Sequence, residues 1–228
     1  ATLSGITLAC SETERAHAQA LFSSNQVALI ENAIDIESVK AHQYANNSNC
    51  RVATSGRLSP QKNPAAFARL AENLNQIGNV DFLWIGGGEL EHDLLIDGKR
   101  PDNLTVTGWV TGEAVNTYLQ STDIFVMTSL WEGMPLSLLE AQTAGLPAVV
   151  PNVEGCRDVV IDGVTGYICN SEAEMAARVQ QLIENPSLRR QLGEEARRRA
   201  LIRFAPERMH REIMQAYQAE IDRKSGKH

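Results

Sequence analysis

Glu132 and Glu140 stand eight residues apart in WEGMPLSLLEAQTAG, the first just before a Gly-Met-Pro break and the second inside an apolar run. A carboxylate in an apolar helix is costly unless something binds it. Pro135 suits the first position of a helix running to about Ala144, with Gly145 as its C-cap. The N–H groups of Leu136 and Ser137 then lie free at the helix start, where phosphate oxygens are favoured. Glu140 follows Ser137 by three residues, on the same face and roughly 4.5 Å further along the axis. A ligand gripped by phosphate at the helix start would present vicinal hydroxyls to Glu140, since carboxylates accept hydrogen bonds in pairs. Glu132, on the loop before the helix, would face the opposite side of that phosphate. Dipole complementarity for Glu132 and a half-exposed helix position for Glu140 explain each carboxylate singly. The two together, around one break, point to a site.

Three other loops carry unusual content. In SGRLSPQKNP, Arg57 and Lys62 lie five apart after Gly56 and before a helix, which makes an anion site suited to a phosphate or diphosphate. Two solvated surface cations are the plain alternative. In WIGGGEL, three glycines permit close backbone approach, but Gly86 and Gly88 do not complete G-x-G-x-x-G and no Walker lysine follows. A tight strand-to-helix turn accounts for them. In TGWVTGEAV, Gly108, Trp109 and Val110 stand where backbone and an apolar side chain would frame a planar base; packing of Trp109 on a neighbouring loop explains them equally.

The elements that must position these loops follow from hydrophobic pattern. Short apolar runs (CRVATSG, VDFLWIGGG, NLTVTGWV, DIFVMTS, PAVVP) alternate with helical stretches (NPAAFARLAENLNQIG, ELEHDLLIDG, TGEAVNTYLQS, PLSLLEAQTAG). That alternation predicts βαβ units and a doubly wound parallel α/β sheet, with ligands outside the strands' carboxyl ends. After PAVVP a loop is expected. Residues 171–223 read as helical, with a Ser171–Glu174 capping box, a cap at Asn185-Pro186 and a last helix from about Pro206. The first 40 residues read as strand, helix, strand, the end of a preceding α/β unit, and ANNSNC is the best short linker.

The chain has 228 residues and a net charge of −7. Residues 1–185 balance to −12 and residues 186–228 to +5. An acidic body argues against nucleic acid. The basic end allows a peripheral contact with anionic lipid, although i,i+4 pairs Arg190–Glu194, Glu194–Arg198 and Glu195–Arg199 suit a solvated face. Four cysteines and five histidines show no ligand spacing, so neither zinc nor a disulfide framework is expected, and a reducing, cytoplasmic setting is the simplest reading.

These residues together resemble the retaining GT-B glycosyltransferases of the family four type. EGMPLSLLE is similar to that family's E-x7-E element, SGRLSPQKNP to its G-R-L…K segment, and AQTAGLPAVVPNVEGCRDVVIDGVTGYI to the stretch after its second Glu. The resemblance covers about residues 25 to 205. It implies a Rossmann-like donor-binding domain over 41–205, the end of an acceptor-side domain and crossover over 1–40, and a helix over 206–228 crossing back toward that domain, whose greater part is missing. The usual Asn-Gly-Val-Asp hinge reads Asn32-Ala33-Ile34-Asp35, without its glycine.

The resemblance further implies a role for each site residue. Arg57 and Lys62 would hold the donor diphosphate beside Gly56. Glu132 would contact the transferred sugar and Glu140 the ribose. The backbone around Gly133, Met134, Pro135, Leu136 and Ser137 would meet the phosphates, and Val110 the base. The implied substrate is a nucleoside-diphosphate sugar, UDP- before GDP-linked, used without metal or other cofactor, with a glycan or lipid-linked acceptor at the inner membrane face. A chain limited to this half would bind donor and transfer nothing alone. A GT-B sugar-nucleotide epimerase or phosphorylase and a non-catalytic nucleotide-binding module are the other readings; a dehydrogenase ranks last, given the broken glycine fingerprint.

Overall fold

The computed structural model describes residues 5–21, 27–43 and 49–225. The linker ANNSNC lies largely outside them. Residues Thr7–Ala9 (β1) and Val27–Leu29 (β2) pair in parallel around the helix Glu12–Leu21 (α1), forming a two-stranded sheet of their own. The expected strand, helix and strand are all present.

The larger sheet is built from Cys50–Ser55 (β3), Val80–Ile85 (β4), Leu104–Val106 (β5), Ile124–Val126 (β6), Ala148–Pro151 (β7) and Gly166–Cys169 (β8). All pairs are parallel and the order is β5-β4-β3-β6-β7-β8. Winding starts in the middle, at β3, runs outward to β5, then returns to β6 and runs outward the other way. The strand order therefore reverses between β3 and β6. Loops leaving the carboxyl ends of these two strands diverge to opposite faces, opening the crevice where doubly wound sheets take ligands.

Helices cover both faces, and the strands are buried on both, as their unbroken apolar runs require. Pro64–Leu74 (α2) and Glu172–Glu184 (α6) pack on one face around Phe67, Phe82, Trp84, Val149 and Val179. Phe67 meets Phe82 and Trp84 edge to face, with centroids 5.6 and 5.4 Å apart. Gly112–Gln120 (α3) and Leu136–Ala144 (α4) pack on the other face around Leu83, Phe125, Leu138, Leu139 and Val150. A short helix, Cys156–Val159 (α5), follows β7. Pro186–Arg203 (α7) supplies Leu192 to the first core and Ala200 to the second. The last helix, Pro206–Ser225 (α8), buries no residue and leaves Met214, Tyr217 and Ile221 exposed.

Three expectations need correction. ELEHDLLIDG is not a helix: one 3-10 turn, Glu91–Leu94, precedes a two-residue hairpin in which Ile96 and Lys99 exchange N–H···O bonds of 2.8 and 2.9 Å. Asp97 and Gly98 both have positive φ, 49° and 80°, as the Asp-Gly turn of a hairpin requires. The segment after PAVVP is not only loop, because GYIC forms the sixth strand, β8. Pro135 caps α4 instead of opening it: its ψ of 117° is extended and the helix begins at Leu136.

The helix caps at Ser171 and Asn185 are present, accepting from Glu174 N–H at 3.1 Å and Leu188 N–H at 3.1 Å. The Glu174 carboxylate reaches back to Asn170 N–H at 2.9 Å, one residue earlier than a standard capping box. On α7, Arg190–Glu194 forms as expected, whereas Arg198 takes Glu195 at i,i+3 in place of Glu194.

Candidate functional site

Lys62 and Glu132 meet at the β3–β6 crevice. Lys62 ends the turn that leaves β3, and Glu132 lies on the loop that leaves β6; Lys62 Nζ donates to Glu132 Oε1 at 2.6 Å. Both side chains are largely enclosed, at 18% and 6% exposure, so screening by water is weak and the pair is held firmly. Gln61 adds a second clasp, its Nε2 donating to Glu132 Oε2 at 3.2 Å and to Trp131 O at 3.0 Å. Leu130 N–H donates to Gln61 O at 2.8 Å, and Thr128 Oγ1 donates to Lys62 O at 2.8 Å. The two loops are thus joined by backbone and side chain at once. The sequence expectation placed Glu132 and Lys62 apart, on different parts of one ligand; the fold puts them in contact.

Gly56 sits directly under this pair. A methyl group there would come 3.1 Å from Lys62 Cε, so the absence of a side chain lets the lysine stem lie flat across the strand end. Trp84 Nε1 donates to Gly56 O at 2.9 Å, tying β4 to the same point. The triple glycine serves this stitching and opens no helix: a methyl on Gly86 would stand 2.2 Å from Gly56 O, and one on Gly88 2.5 Å from Leu58 O. Leu58 N–H donates to Gly87 O at 3.0 Å, and Trp109 packs beside Gly87.

At the start of α4, Leu138 and Leu139 N–H both donate to Pro135 O, at 3.0 and 3.3 Å. The preceding amides, Leu136 and Ser137, have no helical acceptor and carry the positive end of the helix dipole. One turn inward, Glu140 is half-buried with no hydrogen-bond or ion-pair partner among the described residues. Burial alone pushes its carboxyl above the usual carboxylate range, with no nearby cation to offset it. The raised pKa makes the folded chain bind this proton more tightly than the unfolded one. That contribution is complete below about pH 4.5 and is lost as pH rises through the folded-state value. Glu140→Gln is therefore expected to raise the thermal midpoint at neutral pH, with the gain vanishing below about pH 4.5 in a melting series.

The remaining expected residues are placed less tightly. Arg57 is exposed and without a partner among the described residues. Val110 is half-buried after β5, two strands from β3, packed against the second core. Met134 is buried beneath the loop, and Gly133 is exposed beside it.

Sequence reasoning passed over the residues that brace Met134 and Gly133. Asn32, noted only as part of the hinge, donates its Nδ2 to Met134 O at 3.0 Å and its backbone N–H to Met134 Sδ at 3.3 Å. Arg208 on α8 in turn donates to Glu31 O and Asn32 O, at 2.7 and 3.1 Å, and Arg203 pairs with Glu31. Asn32→Ala is expected to cost about 1–2 kcal/mol and to speed amide exchange around Met134, measured by denaturant melts and hydrogen exchange. Gly155, in the loop after β7, stands against Gly133, and Cys10 and Glu14 of the small sheet approach Gly133 from another side. Only the hinge asparagine left a sequence signal, through its Asn-x-x-Asp spacing.

Residues 35–199 match the family described as glycosyl transferases group 1. An Escherichia coli UDP-Gal:alpha-D-GlcNAc-diphosphoundecaprenol alpha-1,3-galactosyltransferase is 40% identical over 120 residues, covering 50% of this chain and 30% of that protein. The alpha-D-kanosaminyltransferase of Streptomyces kanamyceticus is 28% identical over 192 residues, 80% of this chain and 49% of its own. Among solved structures, a mutant of S. aureus TarM in complex with fondaparinux, alpha-GlcNAc-glycerol and UDP superposes with a TM-score of 0.83 at 21% identity, over 94% of this chain and 44% of that one. Anabaena HepE in complex with UDP and glucose gives 0.82 at 18%, over 94% and 63%. At those identities the structural likeness shows the fold alone. The chain spans half or less of the length of these two curated relatives.

Proposed function

The chain belongs to the glycosyl transferases group 1 family, and from that premise we propose that the β3–β6 crevice holds a nucleoside-diphosphate sugar, UDP-linked in preference to GDP-linked, for transfer to a glycan or lipid-linked acceptor with retention of configuration. The observation that carries this reading is the enclosed Lys62–Glu132 contact beside the open start of α4. A cation held by a carboxylate on the loop that leads into the orphan amides of α4, with Glu140 one turn further on, suits a diphosphate flanked by hydroxyl groups. The E. coli relative is a UDP-Gal transferase by name and HepE is seen in complex with UDP and glucose, which favours uridine.

In this reading the diphosphate lies against the Leu136 and Ser137 amides, with Lys62 below it over Gly56 and Arg57 swinging in from solvent. Glu140, unpartnered without ligand, takes the ribose diol, and Val110 flanks the base. Glu132 keeps Lys62 in place and uses a remaining lone pair for a sugar hydroxyl. The bond from the sugar's anomeric carbon to the β-phosphate oxygen breaks, and the acceptor oxygen bonds to that carbon on the same face. The acceptor's proton passes to the departing phosphate. Catalysis then consists of positioning and of charge stabilisation on the leaving diphosphate by Lys62 and Arg57, without a metal.

Acceptor binding falls to a preceding domain of which residues 1–40 are the end, with 41–205 as the donor domain. The exposed Met214, Tyr217 and Ile221 of α8, within 206–228, suit packing on that domain. By itself this chain binds donor and does not turn over. Its setting is the cytoplasm, with the basic end touching the inner membrane face and no role for nucleic acid.

Calorimetry with UDP, GDP and uridine tests the reading. UDP is expected to bind more tightly than GDP, and Glu140→Gln to weaken UDP and uridine alike, by about 1–2 kcal/mol for a lost pair of hydroxyl contacts. Undiminished uridine binding in Glu140→Gln would remove the ribose assignment.

A further inference from the structure

A second cavity, of about 350 Å³, opens at the carboxyl edge of β6, β7 and β8, on the α2–α6 face of the sheet. None of Gly56, Arg57, Lys62, Glu132 or Glu140 lines it. Its polar lining includes Asn63, Thr128, Ser129, Asn152, Asn170 and Glu172, and its apolar lining includes Leu70 and Met175. The volume lies at the lower end of the roughly 300–1,000 Å³ that small-molecule pockets span, enough for one or two sugar rings.

The chemistry of the lining selects among ligands. No lysine or arginine lines the cavity, so nothing there neutralises a phosphate or carboxylate. The charged residue that does, Glu172, is already held by Arg69, which donates to its two oxygens at 2.6 and 2.9 Å. The side-chain amides carry both donors and acceptors; Asn152 Nδ2 donates to Asn170 Oδ1 at 2.9 Å, which leaves the Asn152 carbonyl to accept from a ligand hydroxyl. Ser129 is 3% exposed, yet its hydroxyl has no partner among the described residues. The Asn63 side chain likewise caps no helix, although Asn63 stands at the N-cap of α2. Both groups line the cavity without a protein partner among the described residues, and a ligand rich in hydroxyl groups would pair with both.

We propose that this cavity is a second carbohydrate site, which takes a neutral saccharide of one or two rings with its hydroxyls on Asn63, Ser129, Asn152 and Asn170 and its C–H face on Leu70 and Met175. The site is separate from the crevice that holds Lys62 and Glu132, and its occupancy does not depend on a nucleotide. It shares a wall with that crevice, because Thr128, which lines the cavity, donates to Lys62 O and Asn63 O at 2.8 and 3.2 Å.

Backbone amide spectra of the chain, titrated to millimolar concentrations with the methyl α-glycosides of glucose, galactose and N-acetylglucosamine, and with maltose, test this. At least one sugar is expected to shift the amides of Ser129, Asn152 and Asn170. Ser129→Ala and Asn152→Ala are each expected to weaken that sugar at least tenfold, while a parallel titration with UDP keeps its wild-type affinity. Asn152 is exposed, so its variant remains informative if the Ser129 variant folds poorly. Absence of shifts with all four sugars would overturn the proposal. So would shifts confined to residues 56–62 and 132–140, which would place the sugar in the other crevice, or displacement of the sugar by inorganic phosphate.

Discussion

If Lys62 holds the diphosphate as proposed, Lys62→Met is expected to weaken UDP binding roughly thirtyfold, about 2 kcal/mol, and to leave uridine binding unchanged. The same substitution also strands Glu132, whose carboxylate is almost fully enclosed and keeps, among the described residues, only the Gln61 amide. Removing one partner of such a pair costs about 3 kcal/mol of stability, so the single variant confounds binding with folding. The double variant Lys62→Met/Glu132→Gln separates them. Neutralising the stranded carboxylate restores most of the melting temperature but none of the UDP affinity. Calorimetry and thermal melts on the two variants read these effects independently. If the double variant recovers UDP affinity along with stability, Lys62 acts only as a structural partner of Glu132 and the diphosphate assignment is lost. In an enzyme carrying both domains, the corresponding loss of leaving-group stabilisation is expected to be about 3 kcal/mol in turnover, roughly a hundredfold.

Gly155→Ala is the second large effect, and it acts on the crevice from behind. Gly155 has φ +75°, and a methyl group there would stand 2.1 Å from Gly133 O and 2.6 Å from Gly133 C. The contact is backbone against backbone, so no rotamer change relieves it; the 132–134 loop itself must move. Left-handed strain contributes about 1–2 kcal/mol and the displacement a comparable amount, so about 3 kcal/mol is expected in all. For a chain of this size that lowers the midpoint by roughly 6–12 °C. Gly163→Ala is the matched control: its φ is +69°, but nothing lies within 4 Å of the added carbon, so only the conformational cost of about 1 kcal/mol applies. UDP affinity should fall in Gly155→Ala and stay unchanged in Gly163→Ala. Equal behaviour of the two variants would show that the 132–134 loop tolerates displacement.

Much of the fold was legible because parallel strands buried on both faces are written as short continuous apolar runs. CRVATS and VDFLWI announce themselves in this way, and Ser171, Asn185 and Pro206 mark helix starts through their own side-chain chemistry. The misses have local causes. ELEHDLL has helical spacing, but the Asp97-Gly98 turn behind it makes a hairpin, and a strong two-residue turn signal outweighed by a weak helical pattern is easily passed over. GYIC is too short, and opens on a glycine too permissive, to stand out as a strand before its neighbour β7 is known. Pro135 was misplaced by a single residue, because a proline φ suits both a cap and a first turn.

The candidate site divides along the same line. Its chemical inventory was local: two cations after one strand, two carboxylates flanking a Gly-Met-Pro break, and orphan amides at a helix start are all properties of short segments. Their assembly was not local. Lys62 and Glu132 are seventy residues apart, and nothing in either segment says that they touch. That follows from the reversal of strand order between β3 and β6, which makes neighbours of two loops from distant parts of the chain. The bracing of the loop by Asn32 and Gly155 and the amide-lined cavity beside α6 come from three-dimensional packing in the same way. A sequence specifies which groups are present and how each segment prefers to bend. Which groups share a crevice depends on the winding of the sheet, a sum of long-range contacts that no single segment contains.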